Sequence, residues 1–295
     1  MIAIVQAGSI IYDTPATLDK LEKLVAEAAD KGARLILFPE AFIGGYPKGL
    51  NFGIVLGSRA ADGREEFNKY FNSAIEEDGN ESKRMKKIAQ IHNVNLIVGV
   101  VERQGRTLYC SVFFYSSSGY LGKHRKLMPT ALERCVWGCG DGSTMPVRFI
   151  SYLGSSNIEK NSFKIFKGIE LYLAPTVDDR DVWLSTMRTI AVEGRCFVIS
   201  ACQFLKASDY PKGHYMREKT TDDKILIRGG SCAVDPLGTV LIEPDYSGEL
   251  IQYLSIDLSQ ITRAKMDLDS VGHYSRPEVF QLVINETPFK AVTRK

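Results

Sequence analysis

No apolar run in this chain approaches the roughly 18 residues that a membrane-spanning helix needs, so the sequence excludes a helical membrane protein. Charge of one sign is also missing. The 37 basic and 35 acidic residues are spread along the chain and leave a net charge of +2, which argues against a dedicated nucleic-acid or membrane surface. The six cysteines (Cys110, Cys135, Cys139, Cys196, Cys202 and Cys232) contain no Cys-x-x-Cys pair. Cys135 and Cys139 lie four apart with no second Cys/His pair at ligand spacing, so no metal is expected. Scattered thiols fit a reduced, cytoplasmic protein better than a disulfide framework, and each one reads as a small buried hydrophobe. The opening Met1 to Gly8 is too short for a signal peptide and has no basic lead. Internal repeats and low-complexity tracts are absent too.

What is present is an ordinary globular composition, 44% hydrophobic and 24% charged over 295 residues, long enough for a large core. Ile2 to Gln6 reads as a buried strand. A helix is expected over about 17 to 31, with Leu18, Leu21, Leu24, Val25 and Ala28 on one face and Gly32 as its stop. Arg34 to Phe38 is the next strand, so the first 40 residues read as a βαβ unit with parallel strands. Residues 41 to 63 read as a Gly/Pro-rich loop and 80 to 92 as a helix. Strands are expected at 94 to 102, 109 to 115, 119 to 123, 168 to 176 and 195 to 203. Asp181 is expected to cap a helix reaching Gly194. Two strands around Asp235-Pro-Leu-Gly238, a strand at 250 to 256 and a helix followed by irregular chain complete the reading. The pattern implies one α/β domain over 1–295, a four-layer sandwich with helices outside.

Three residues stand out chemically. Glu40 follows a strongly apolar strand, so its carboxylate is expected at the crevice beyond the strand's carboxyl end, where a buried carboxylate gains a raised pKa suited to a general base. A cap for the next turn is an equally good reading. Lys126 has the charge to stabilise a developing anion, although Lys123-His-Arg-Lys126 reads locally as a solvated basic turn. Glu133 offers a second carboxylate, or half of a plain ion pair with Arg134.

Taken together, these residues lie in segments with a specific likeness. Phe38-Pro-Glu40-Ala-Phe-Ile-Gly-Gly-Tyr-Pro47, His124-Arg-Lys126-Leu-Met-Pro-Thr130, Glu133-Arg-x-x-Trp-Gly-x-Gly-Asp-Gly-Ser143 and Gly168-Ile-Glu-Leu-Tyr-Leu-Ala-Pro-Thr176 resemble the nitrilase branch of the carbon–nitrogen hydrolase family. So do the Trp183 to Phe197 segment, Gly229-Gly-Ser231 and Gly272-His-Tyr-Ser-Arg-Pro-Glu-Val-Phe280. The resemblance covers almost the whole chain. It implies an αββα sandwich that forms dimers and often longer spirals, a Glu–Lys–Cys site without metal or organic cofactor, and hydrolysis of a small nitrile to a carboxylic acid and ammonia. It gives Glu40 the role of general base, Lys126 that of catalytic lysine and Glu133 that of supporting glutamate.

The likeness stops at 148–167. There the family places its nucleophile, on a Cys-Trp-Glu elbow between the Gly-Asp-Gly-Ser motif and the strand beginning at Gly168. This chain has no cysteine in that interval, which looks shorter than in the family. Cys135 and Cys139 lie off the elbow, Cys196 reads as core, and Ser151, Ser155 or Ser156 would need a stronger base than a lone glutamate. As written, the chain is expected to be inactive. Three origins fit: an enzyme that has lost its nucleophile, a frameshift or splicing artefact in an active nitrilase, or a non-catalytic assembly partner of an active paralogue. Amidase, carbamoylase and cyanide hydratase chemistry are the weaker alternatives.

Overall fold

Alternation along the strands sets the layers of this protein. The computed structural model describes residues 1–145 and 168–289; the atypical segment at 148–167, with Ser151, Ser155 and Ser156, lies outside the described residues. Elements in order are β1 (Ile2–Gln6), α1 (Thr14–Asp30), β2 (Leu35–Leu37), the hairpin β3 (Ile54–Val55) and β4 (Ser58–Arg59), α2 (Ala61–Ser73), α3 (Asn80–His92), β5 (Asn95–Gln104), β6 (Thr107–Ser116) and β7 (Gly119–Arg125). Then come β8 (Leu171–Thr176), α4 (Val182–Gly194), β9 (Phe197–Cys202), β10 (Phe204–Lys206), α5 (Tyr215–Glu218), β11 (Ile225–Arg228), β12 (Cys232–Val234), β13 (Val240–Ile242), β14 (Leu250–Leu254) and α6 (Ser259–Lys265).

Among the described residues, one sheet has six strands in the order β14-β1-β2-β5-β6-β7 and another has four in the order β13-β12-β9-β8. β1 and β2 pair in parallel, Ile2 against Leu35, as the βαβ reading requires. Ile2, Ile4, Leu37, Ile97 and Val112 of the large sheet share a cluster with Leu173, Ile199 and Ala233 of the small one. Their neighbours Ala3, Val5, Ile36, Leu96 and Val98 face the other way, onto Leu21 and Val25 of α1 and Met85 and Ile88 of α3. On the far side, Tyr172, Val198 and Val234 pack on Trp183, Met187 and Ile190 of α4. The central strands of both sheets therefore bury both faces, and the order helix, sheet, sheet, helix follows. Gln6 links the halves: its Oε1 accepts from the Gly230 and Ser231 amides, 2.9 Å each, and its Nε2 donates to the Asp245 and Gly248 carbonyls.

Several expectations need correction. The 41 to 63 stretch is not all loop: it contains the β3–β4 hairpin and the start of α2. Gly63 inside α2 discourages a helical reading, yet a Cβ there would lie 2.1 Å from the Phe52 carbonyl oxygen, so the close approach demands glycine. α1 starts earlier than its apolar stripe, because Asp13 accepts from the Ala16 amide at 2.9 Å and caps it. Asp181 does not cap α4; its carboxylate binds Arg228 at 2.6 Å instead.

Gly99 has as strict a requirement as Gly63. It lies on β5 under the Pro39–Ala41 backbone, and a Cβ there would come within 2.1 Å of the Pro39 oxygen and 2.7 Å of the Glu40 Cα. Neither neighbour is a flexible side chain. Gly99→Ala should therefore cost about 1–3 kcal/mol by overpacking, read as a lower urea midpoint with unchanged slope. A midpoint equal to that of the parent would refute this account of the Glu40 turn.

Candidate functional site

Past β2 the chain hydrogen-bonds once more to β5, Phe38 N to Ile97 O at 2.8 Å, and then turns. Ala41 takes φ +50°, the left-handed region, which costs a non-glycine residue of order 1 kcal/mol. Two buried side chains hold the turn. Gln203 Nε2 donates to the Glu40 carbonyl at 2.7 Å and Ser9 Oγ to the Phe42 carbonyl at 2.7 Å. The Glu40 side chain is thereby sent to the inner side of the large sheet, where the residue is 2% exposed.

Lys126 arrives from β7 by the period of a strand. In the β6–β7 register Ser111 faces Arg125, Val112 faces His124 and Phe113 faces Lys123. Lys123 and Arg125 therefore share one face and both bind the buried Glu102, Lys123 Nζ at 2.6 Å and Arg125 Nε at 2.9 Å. His124 and Lys126 point to the other face and are buried. The basic run is thus not a solvated turn, as local sequence had it, but two pairs of side chains, Lys123 with Arg125 and His124 with Lys126, divided between the faces of a sheet.

On the inner face Lys126 Nζ is 2.8 Å from Glu40 Oε1 and 2.8 Å from Glu133 Oε2. Glu133 lies in a 3-10 turn, Ala131–Cys135, where its Oε2 also accepts from the Thr130 amide at 2.6 Å and its Oε1 from the Tyr46 hydroxyl at 2.8 Å. It pairs with Lys126 and not with Arg134, whose Nε goes to the Pro129 carbonyl. Burial by itself would lower the Lys126 pKa, but Glu40, Cys110 and Glu133 outweigh it and hold the ammonium above its ordinary range. Lys126 is therefore a permanent cation here, 5.7 Å from the centre of the Trp137 ring. Burial, then Glu133 and Glu40, push the Tyr46 phenol up, so it stays a hydrogen-bond donor.

The structure brings together Glu40, Lys126 and Glu133, and adds three residues that the sequence did not single out. Cys110 on β6 lies next to Lys126 on the inner face and donates its thiol to Glu40 Oε1 at 3.3 Å. Gln203 and Tyr46 are the others. Alternation on β6 put Cys110 on the same face as Lys126 and was the available signal; nothing local marked Gln203. The expectation of six buried thiols is corrected as well, since Cys135 and Cys139 are exposed. Cys196 is core, its thiol pushed up to about 12 by burial.

A cavity of about 720 Å³ opens at the trio, lined by Glu40, Lys126, Glu133 and Tyr46 on one side and by Thr176, Asp178 and Trp183 of the β8–α4 connection on the other. Among the described residues no cysteine lines it. Cys110 is behind Glu40, 1% exposed. The arrangement offers a buried carboxylate for proton transfer and a fixed ammonium for a developing negative charge, facing a space sized for a small molecule.

Residues 1–266 match the family model described as carbon-nitrogen hydrolase. The chain is 51% identical to a "Bifunctional nitrilase/nitrile hydratase NIT4A" of Lupinus angustifolius, across 98% of this chain and 87% of the relative. It is 47% identical to an "Aliphatic nitrilase" of Sinorhizobium fredii (strain HH103), across 99% and 98%. A crystal structure of a carbon-nitrogen hydrolase from Helicobacter pylori G27 superposes with a TM-score of 0.68 at 17% identity, covering 90% of this chain and 92% of that one. That likeness speaks for the fold alone.

Two measurements test the electrostatics. Lys126→Met removes the buried cation that Glu40 and Glu133 share and should destabilise by about 3–5 kcal/mol; a loss under about 1 kcal/mol, the size of a surface pair, would refute the buried trio. Glu102 behaves oppositely with pH. Burial alone would raise its pKa, but Arg125 and Lys123 overcome that and hold it below the ordinary value. Its contribution is thus fully present above the unfolded value of about 4.3 and is lost as pH falls through the folded one. Glu102→Gln should be less stable at neutral pH, with a flatter acid limb in a urea titration. An acid limb as steep as the parent's would overturn the assignment.

Proposed function

This chain belongs to the carbon–nitrogen hydrolase family, in its nitrilase branch, and from that premise we propose that its cavity receives small nitriles but that the chain as written does not hydrolyse them. One observation carries this reading: the sequence holds no cysteine between Cys139 and Cys196. A complete site of this kind works by thiolate addition to the nitrile carbon, giving a thioimidate. Water releases ammonia and leaves an acyl-enzyme, and a second water frees the carboxylic acid. Glu40 would take the thiol proton and pass it on, and Lys126 would stabilise charge on the nitrogen and in the tetrahedral intermediates. Glu133 accepts three hydrogen bonds, which suits a residue that holds Lys126 and Tyr46 in place better than one that exchanges protons.

The described thiols support the same conclusion. Cys110 is enclosed behind Glu40, and Cys135 and Cys139 lie outside the lining of the larger cavity. A hydroxyl from the 148–167 stretch would need a much stronger base than Glu40. One domain over 1–295, a cytoplasmic setting and self-association into dimers or longer spirals belong to the same reading.

A lost segment would account for the missing thiol. The alignment with the lupin relative runs over 304 positions while 98% of the 295 residues is about 289, so about 15 positions of the relative have no counterpart here. β8, just after the interval, pairs only with β9 among the described strands. This favours deletion or mis-splicing of an otherwise intact enzyme over slow decay, and the preserved Glu40, Lys126 and Glu133 accord with it.

The chain as given should release no ammonia from phenylacetonitrile, propionitrile or 3-cyanopropanoate. Sequencing the transcript from the Val147 to the Gly168 codon should reveal a longer message encoding a cysteine followed by Trp-Glu, and that longer protein should release ammonia. Turnover by the chain as written would overturn the proposal. A single message matching the printed stretch would leave the inactive reading and remove the splicing account.

A further inference from the structure

A second cavity, of about 460 Å³, lies behind the Tyr46–Glu133 hydrogen bond. Its walls are Leu50, Phe52, Ile54, Leu132, Val136 and Cys135, from the loop after Tyr46 and from the turn that carries Glu133. The charged residues of its lining are Lys48 and Glu133, and both also line the larger cavity, as do Tyr46 and Thr130. The two spaces therefore meet along one edge. The second space therefore adjoins the one that Lys126 lines.

We propose that this cavity is the subsite for the nitrile's substituent and that it takes an uncharged, aryl-sized apolar group. The inference rests on the nitrile reading of the larger cavity. Composition decides the class. Apart from the edge shared with the larger cavity, the wall is uncharged and mainly apolar, with Asn51 and the Cys135 thiol as its polar side chains, so a carboxylate or ammonium placed there would give up its hydration with no partner of opposite charge. An aryl ring would cover apolar surface that is otherwise wet, including Leu132, which is 67% exposed, and would meet the Phe52 side chain in the arrangements that aromatic pairs favour. The volume is within the range of small-molecule sites. Neither the motif segments nor the Glu40–Lys126–Glu133 trio accounts for an apolar recess on this side of Glu133.

The test is calorimetric binding, which does not depend on turnover. The ligands are phenylacetonitrile, propionitrile, 3-cyanopropanoate and toluene, and the proteins are the full chain, Cys135→Trp and Cys139→Trp. Cys135 is exposed and belongs to the wall alone, so an indole there fills the cavity from outside the reaction centre. Phenylacetonitrile should bind the parent at least tenfold more tightly than propionitrile or 3-cyanopropanoate. Cys135→Trp should abolish that preference and change propionitrile binding by less than twofold, while Cys139→Trp should leave both unchanged. If Cys135→Trp does not fold, benzylthiolation of Cys135 in folded Cys139→Ser protein fills the same space and should give the same result. A preference for phenylacetonitrile that survives filling overturns the subsite, as does the absence of any preference. Toluene separates the two layers of the argument. If toluene binds in a Cys135-sensitive way and no nitrile binds, the apolar subsite stands and the nitrile reading falls. If neither toluene nor any nitrile binds, both fall.

Discussion

An ammonium buried between two carboxylates is the constraint around which the inner face of this protein is arranged. Such a group is tolerated only where its partners are fixed, because each ion loses several kcal/mol of hydration on burial. The three side chains reach one another from separate places: Glu40 from the turn after β2, Lys126 from the end of β7 and Glu133 from a 3-10 turn. An error of about 1 Å in any of these would leave a charge without a partner. The surrounding structure is accordingly stiff: Gln203 and Ser9 hold the turn, Gly99 lets it lie flat on β5, and Tyr46 and the Thr130 amide hold Glu133.

A second ionic cluster, on the opposite face of the same sheet, fixes β7. Glu102 takes Lys123 and Arg125, with Ser111 Oγ donating to it at 2.7 Å. Alternate residues of a single strand therefore serve two different charge networks. One secures the strand beneath the outer helices, and the other presents Lys126 to the cavity. This division explains how four consecutive basic residues can be largely buried in a protein of nearly neutral charge.

Among the described residues no thiol faces the cavity that Glu40 and Lys126 line. Cys110 makes the point sharply. It touches Glu40, and Lys126 is its neighbour on the sheet, so a thiol, a carboxylate and an ammonium are all present. Its place behind Glu40 denies it the cavity. Contact with the right partners does not make a nucleophile when the sulfur cannot reach a ligand.

The layer order, the parallel β1–β2 pair and the principal helices were legible in the sequence, because burial of strands and helices leaves a periodic trace in local order. Glu40, Lys126 and Glu133 were legible as motif residues, yet each on its own read equally well as a cap, a solvated cation or a surface ion pair. Only the tertiary structure decided between these. Whether a charge is exposed or buried, and which charge it meets, depends on residues 86 positions away for Glu40 and Lys126 and 163 for Glu40 and Gln203. The same holds for the apolar recess behind Glu133, which is a product of packing between distant segments. Sequence by itself determined that no thiol stands between Cys139 and Cys196, since composition needs no fold. Distance, burial and charge pairing arise when segments far apart in the chain come together, and they were settled only there.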